Sequence, residues 1–107
     1  MSAAPHCNAM DDLDQNPLPE APERYFKTID TSTLIPLDLL VPDHLRIDAI
    51  PRAIGYMQAA YEGKGGKRVP ISLRRREDGR YDIVDGNTTF YVAQKSGWKS
   101  IPATIEP

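Results

Sequence analysis

The sequence predicts a small α+β domain whose elements run β-α-β-β-α-β, and three observations carry that reading. Ile50, Ile54, Met57 and Tyr61 recur at helical spacing. Val69, Ile71 and Leu73 alternate with Pro70, Ser72 and Arg74 and run toward an Asp78-Gly79 turn, the pattern of a half-buried hairpin strand. Asp85-Gly86 then separates a strand from a second helical stretch. Strands and helices in this order give an α+β arrangement rather than a run of β-α-β units.

Taken in order, residues 1–24 read as a disordered, acidic, Pro-rich tail. Pro5, Pro17, Pro19 and Pro22 punctuate it, five carboxylates charge it, and it has too few large apolar side chains to offset the entropy of ordering it. His6 and Cys7 fall inside it, two adjacent ligand types with no partners nearby. The domain proper is predicted over 25–107. Tyr25–Ile29 reads as a short strand or docking arm. Thr33–Leu37 reads as a strand ended by Pro36, which has no N–H to donate to a central ladder. Asp38–Pro42 suggests one helical turn. A helix follows, with Asp48 as N-cap, Pro51 in the first turn and Gly63 ending it. Tyr81, Ile83 and Val84 form the returning strand of the hairpin, and Phe90–Ser96 a helix ended by Gly97; Trp98 packs back onto the core, and Ile101, Ala103 and Ile105 alternate in a last strand.

Composition excludes several function classes. The chain has 107 residues, 40% of them apolar and 26% charged, enough for one domain. No apolar run approaches the roughly 20 residues that span a bilayer, so no membrane association is expected and a cytoplasmic location is. One cysteine and two histidines leave no basis for a disulfide framework or a Cys/His metal centre, so no metal site is assigned. Charge is unevenly placed. Residues 1–48 carry nine acidic and three basic side chains, and 49–107 carry six and ten. Lys67, Arg68, Arg74 and Arg76 stand out in the second half, with Arg74 and Arg76 on the strand face opposite Ile71 and Leu73. Such a patch suits the phosphates of a nucleic acid.

The turn at Asp85 carries the chemistry. A strand that runs through Asp-Gly into a helix exposes the first helical amides, which have no partners inside the helix and lie at the positive end of its dipole. Gly86 permits a sharp turn, and Asn87, Thr88 and Thr89 offer short polar side chains to a phosphate or sugar hydroxyl. The plainer use of the same residues is helix capping by Asp85 or Asn87.

Together, Val69-Pro70-Ile71-Ser72-Leu73-Arg74, Gly79-Arg80-Tyr81-Asp82-Ile83-Val84-Asp85-Gly86 and Ala93-Gln94-Lys95-Ser96-Gly97-Trp98-Lys99-Ser100-Ile101-Pro102-Ala103 resemble the ParB/sulfiredoxin superfamily, over about residues 33–106. The resemblance implies a small fold whose strand-to-helix turn binds nucleotide phosphates. In ParB-like proteins that turn reads Gly-Glu-Arg-Arg and engages CTP; in sulfiredoxins it reads Gly-Cys-His-Arg and serves ATP-driven redox repair. Here it reads Gly86-Asn87-Thr88-Thr89. Without a thiolate at 87, sulfinic acid reduction has no nucleophile, and Cys7 in the tail is a poor substitute. Without the arginines, a triphosphate loses its bidentate clamps. Arg46, matching an arginine that ParB-like proteins carry after their first strand, and Arg74 are the candidates to compensate.

Three functions are open at this point. The first is a ParB-like module binding nucleic acid or a nucleotide, requiring no cofactor, with CTP or ATP and Mg²⁺ as the candidate nucleotide. The second is a ParB-like nuclease or phosphotransferase in which Asp85 holds Mg²⁺ or acts as a base; its catalytic residues are unknown, and strand alternation would put Asp82 and Asp85 on opposite faces. The third is an inactive interaction or inhibitory protein of a plasmid or phage, capturing a protein partner through the acidic tail.

Overall fold

The computed structural model describes residues 16–107. The first helical turn among them is α1 (Pro22–Tyr25), followed by β1 (Thr33–Pro36), a 3-10 turn at Leu37–Leu39, β2 (Leu40–Val41) and a second 3-10 turn at Ile47–Ala49. Then come α2 (Ile50–Tyr61), β3 (Ile71–Arg75), β4 (Tyr81–Asp85), α3 (Asn87–Lys95) and β5 (Ser100–Ile105). The strands form one sheet in the order β1-β5-β3-β4-β2. The predicted α+β class and its β-α-β-β-α-β backbone hold, with α1 and the two-residue β2 as additions.

Register divides the sheet into two faces. Ile35 pairs with Ile101, Ile71 with Ala103, and Leu73 with both Ile105 and Ile83. These side chains join Ala53 and Met57 of α2 and Phe90, Val92 and Ala93 of α3 in one apolar core. The other face carries Leu34 opposite Pro102, Ser72 opposite Thr104, and Arg74 opposite Asp82. Pro36 does end its strand, and β1 is an edge strand, where a missing N–H costs no ladder bond.

Helix α2 buries Ile50, Ala53, Met57 and Ala60, the stripe that the spacing predicts, with Ile54 and Tyr61 at its margin. Its start differs. Asp48 lies in the 3-10 turn, Ala49 occupies the N-cap position, and no side chain caps the helix; Pro51 fills the first turn. Gly63 takes φ +77° just beyond the helix and Gly79 takes φ +87° in the hairpin, both left-handed as required there. Leu37–Leu39 does form a single turn, but Leu40 and Val41 then pair in parallel with Tyr81 and Asp82, a strand absent from the sequence reading.

The end of the expected tail is packed onto the domain. Leu18 is buried, its N–H donates to Ser96 Oγ at 3.1 Å, and its carbonyl accepts the Trp98 indole N–H at 2.8 Å. The Glu20 carboxylate accepts the Lys99 amide at 2.9 Å and the Ser100 amide at 3.4 Å. Tyr25 is also buried, in α1 rather than in a strand, and donates its hydroxyl to the Pro19 carbonyl at 2.6 Å. Phe26 forms a parallel bridge with Arg68. The disorder expected of residues 1–24 therefore does not extend over Leu18–Arg24: one leucine and a set of long-range hydrogen bonds order a segment whose composition is poor in apolar residues. His6, Cys7, Asp11, Asp12 and Asp14 lie outside the described residues.

Candidate functional site

The strand-to-helix turn is built by a glycine that nothing else could replace. Gly86 is the N-cap of α3 with φ +108°, and a Cβ there would collide with Cγ2 of Ile71 and stand 2.8 Å from its Cβ. Backbone conformation and close approach to β3 each demand glycine. The Phe90 N–H makes the first bond of the helix, to the Gly86 carbonyl at 2.8 Å. The amides of Asn87, Thr88 and Thr89 thus have no i−4 acceptor in the helix, and no side chain among the described residues caps them. Plain capping by Asp85 or Asn87 is not what these residues do.

Asn87 has another task. Its Oδ1 accepts the backbone N–H of Asp43 at 2.9 Å, which fastens the connection after β2 against the start of α3. Thr88 is half-buried, and Thr89, 3% exposed, closes the floor of a depression beside the turn. Arg68, Val69, Asp85 and Gly86 border that depression, whose volume is about 280 Å³. Arg68, which the sequence suggests only for a nucleic-acid patch, is therefore the cation at the turn. Arg46 is not brought there: it is exposed before the second 3-10 turn, its carbonyl accepts the Ala49 amide, and it does not line the depression. The signal for Arg68 lay in pairing rather than in motif, since its main chain bonds Tyr25 and Lys27 and so anchors it.

Two arginines of the basic hairpin are engaged with carboxylates. Arg76 lies 2.8 Å from Asp82 and 3.2 Å from Asp78, and Arg74 lies 3.2 Å from Glu106. Hydrogen bonds to Asp82 and Asp78 raise the pKa of the Arg76 guanidinium; the Arg76 hydrogen bond and the Arg80 amide lower that of Asp78. Arg74, Arg76, Asp82 and Asp43 border a second groove, separate from the depression at Gly86. Lys67 is exposed and makes no ion pair among the described residues.

A bulge alters the relation of Asp82 to Asp85. Ser72 pairs with Asp85 and Leu73 with Ile83, which leaves Val84 as the extra residue of β4. Asp82 stands opposite Arg74 and Asp85 opposite Ser72, two β3 positions that share a face. The opposite faces expected from simple alternation are cancelled by the bulge. The two carboxylates still border different depressions, and among the described residues no group of three or more His, Cys, Asp or Glu could hold a metal ion.

A solved structure titled SbnI with C-terminal truncation, from Staphylococcus aureus, superimposes on 73% of this chain and 31% of its own, with a TM-score of 0.55 and 20% identity. A conserved hypothetical protein from Pyrococcus furiosus superimposes on 77% of this chain and 34% of its own, with a TM-score of 0.57 and 25% identity. In sequence, the nucleoid occlusion proteins of Bacillus thuringiensis (strain Al Hakam) and Bacillus mycoides (strain KBAB4) are each 43% identical over 37 residues. The fold is ParB-like. The match to those relatives takes in 35% of this chain and 13% of their length. No protein-family profile matches the chain. The turn reads Gly86-Asn87-Thr88-Thr89, and Arg68 is among the residues that border the depression beside it. Among the described residues no helix is long and apolar enough to cross a membrane.

Proposed function

We propose that this chain is a ParB-like module that binds the phosphate of a nucleic acid or nucleotide at the start of α3. The observation that carries this reading is the turn itself: a glycine forced by both φ and Ile71, three helical amides without helix acceptors, and Arg68 across a shallow depression. Nothing in a purely structural turn asks for a cation opposite an uncapped helix start.

Asp85 shapes the ligand. Its exposed carboxylate borders the same depression and opposes a bare anion, so a phosphate carried with Mg²⁺ is favoured over a free one. CTP or ATP with Mg²⁺ is the nucleotide form of this ligand. Arg74 and Arg76, already paired with carboxylates, are left with a secondary part in any phosphate contact; Arg68 and Lys67 carry more of it. Arg46 contributes at most at long range.

A thermal-shift screen of CTP, ATP, GTP and short oligonucleotides, with and without Mg²⁺, tests this. A ligand that binds only the folded chain raises the melting temperature, and Arg68→Ala reduces the shift. Asp85→Asn removes the need for Mg²⁺. No shift with any of these ligands at low salt defeats the reading.

A further inference from the structure

Tyr56 on α2 is the one exposed aromatic side chain among the described residues, 57% accessible. It contacts no other ring, and the Arg68 guanidinium carbon lies 5.8 Å from its ring centre. The second cation–ring contact is of another kind. Arg24 lies 4.4 Å from the centre of Tyr61, which itself stacks on the buried Tyr25 at 5.5 Å and 27°, so that pair seals the core. The Tyr56–Arg68 pair seals nothing.

Arg68 is presented from a fixed main chain. Its N–H donates to the Tyr25 carbonyl at 2.8 Å, and its carbonyl accepts the Lys27 N–H at 2.7 Å. The same residue borders the depression at Gly86. Arg52, one turn before Tyr56 on α2, and Lys67 are also exposed. An open ring thus stands beside the cation that borders the candidate phosphate site, with further positive charge around it.

We infer that Tyr56 is a nucleobase-stacking platform and that its ligand is single-stranded nucleic acid, with Arg68 joining the stacked base to a phosphate at the start of α3. The inference rests on the phosphate reading above and adds the identity of the ligand. Three arguments select a single strand. Every base offers a π face to such a ring, and a base–aromatic stack strengthens binding by about 5- to 150-fold. Tyr56 lies outside the lining of the depression, so a lone nucleotide would gain no enclosure there. A strand, by contrast, adds phosphates over Arg52 and Lys67. A duplex hides its base faces within its own stack and presents only phosphates to this surface.

The experiment is fluorescence anisotropy with a labelled single-stranded oligothymidine a little longer than the roughly 4–16 nucleotides a small domain covers. The same strand annealed to its complement, and CTP as competitor, are the comparisons. Tyr56→Ala is expected to weaken single-strand binding about tenfold while leaving the duplex affinity and the salt slope unchanged, because stacking releases no counterions. Tyr56→Phe keeps the ring and retains the affinity. An unchanged melting temperature shows both variants folded. Equal single-strand affinity for Tyr56→Ala and the unaltered chain overturns the platform while leaving the phosphate reading standing. Binding of CTP with no binding of the strand overturns the platform as well. Failure of the unaltered chain to bind strand, duplex or CTP overturns both readings.

Discussion

Asn87 Oδ1 accepts the Asp43 backbone N–H at 2.9 Å across 44 residues of sequence, tying the connection after β2 to the first turn of α3. The bond is exposed, so its stabilising effect is modest. Asn87→Ala is expected to lower stability by about 1 kcal/mol or less and to raise the hydrogen-exchange rate of the Asp43 amide. Asn87→Asp, which keeps the acceptor, restores protection there.

Gly86 tolerates no side chain. A Cβ would meet Ile71 and would force an L-residue to hold φ +108°. Gly86→Ala is expected to cost about 2–4 kcal/mol through overpacking and backbone strain together. Chemical denaturation checks this; a loss under 1 kcal/mol would mean the turn relaxes freely.

Leu18 anchors the ordered part of the N-terminal segment. Its side chain is buried, and its main chain bonds both Ser96 and Trp98. Leu18→Ala is expected to cost about 2–5 kcal/mol, the range for a buried leucine. Removal of residues 1–24 strips these bonds together and lowers the melting temperature well below that of the full chain.

Burial pushes the Tyr25 phenol up to about 12, and the neighbouring Tyr61 adds to the rise. The proton is held more tightly in the folded chain than in the unfolded one. Stability from this group is therefore complete below pH 10 and is lost as pH rises from 10 to 12. The expected slope is about 1.4 kcal/mol per pH unit. Denaturation across this window shows the slope in the unaltered chain, and Tyr25→Phe removes Tyr25's share of it.

Ion pairing ranks the arginines. Arg76 sits between Asp78 and Asp82, whereas Arg68 borders the turn. If a single strand is bound, Arg68→Ala reduces the logarithmic salt slope by about 0.7, the value for one single-strand phosphate contact. Arg76→Ala leaves that slope nearly unchanged. The opposite ranking would return the basic hairpin to the centre of binding.

The elements with strong local patterns were legible. The stripe Ile50, Met57 and its neighbours marks an amphipathic helix, the alternation at Ile71 and Leu73 marks a strand, and Asp78-Gly79 marks the hairpin. Pro36 was legible as an edge feature because its chemistry is local. The strand β2 was not, since two residues carry no periodicity and its partner lies some forty residues onward. Leu18 was hidden for a similar reason: what orders it is a tryptophan 80 residues away. In the site, Gly86 was legible from Asp-Gly alone. The bulge at Val84, the engagement of Asn87 with Asp43, and the spending of Arg76 on carboxylates arise only when distant segments meet. The same cause puts Arg68, and not Arg46, at the border of the depression beside Gly86.

The indole of Trp98 gives the chain a built-in optical gauge. It is the sole tryptophan, it lies 4.9 Å from the Tyr25 ring, and its nitrogen is held by Leu18. Its emission colour therefore registers whether the leading segment is seated or lifted. A red shift that precedes loss of helix signal on heating would reveal peeling of that segment ahead of global melting, without any label attached.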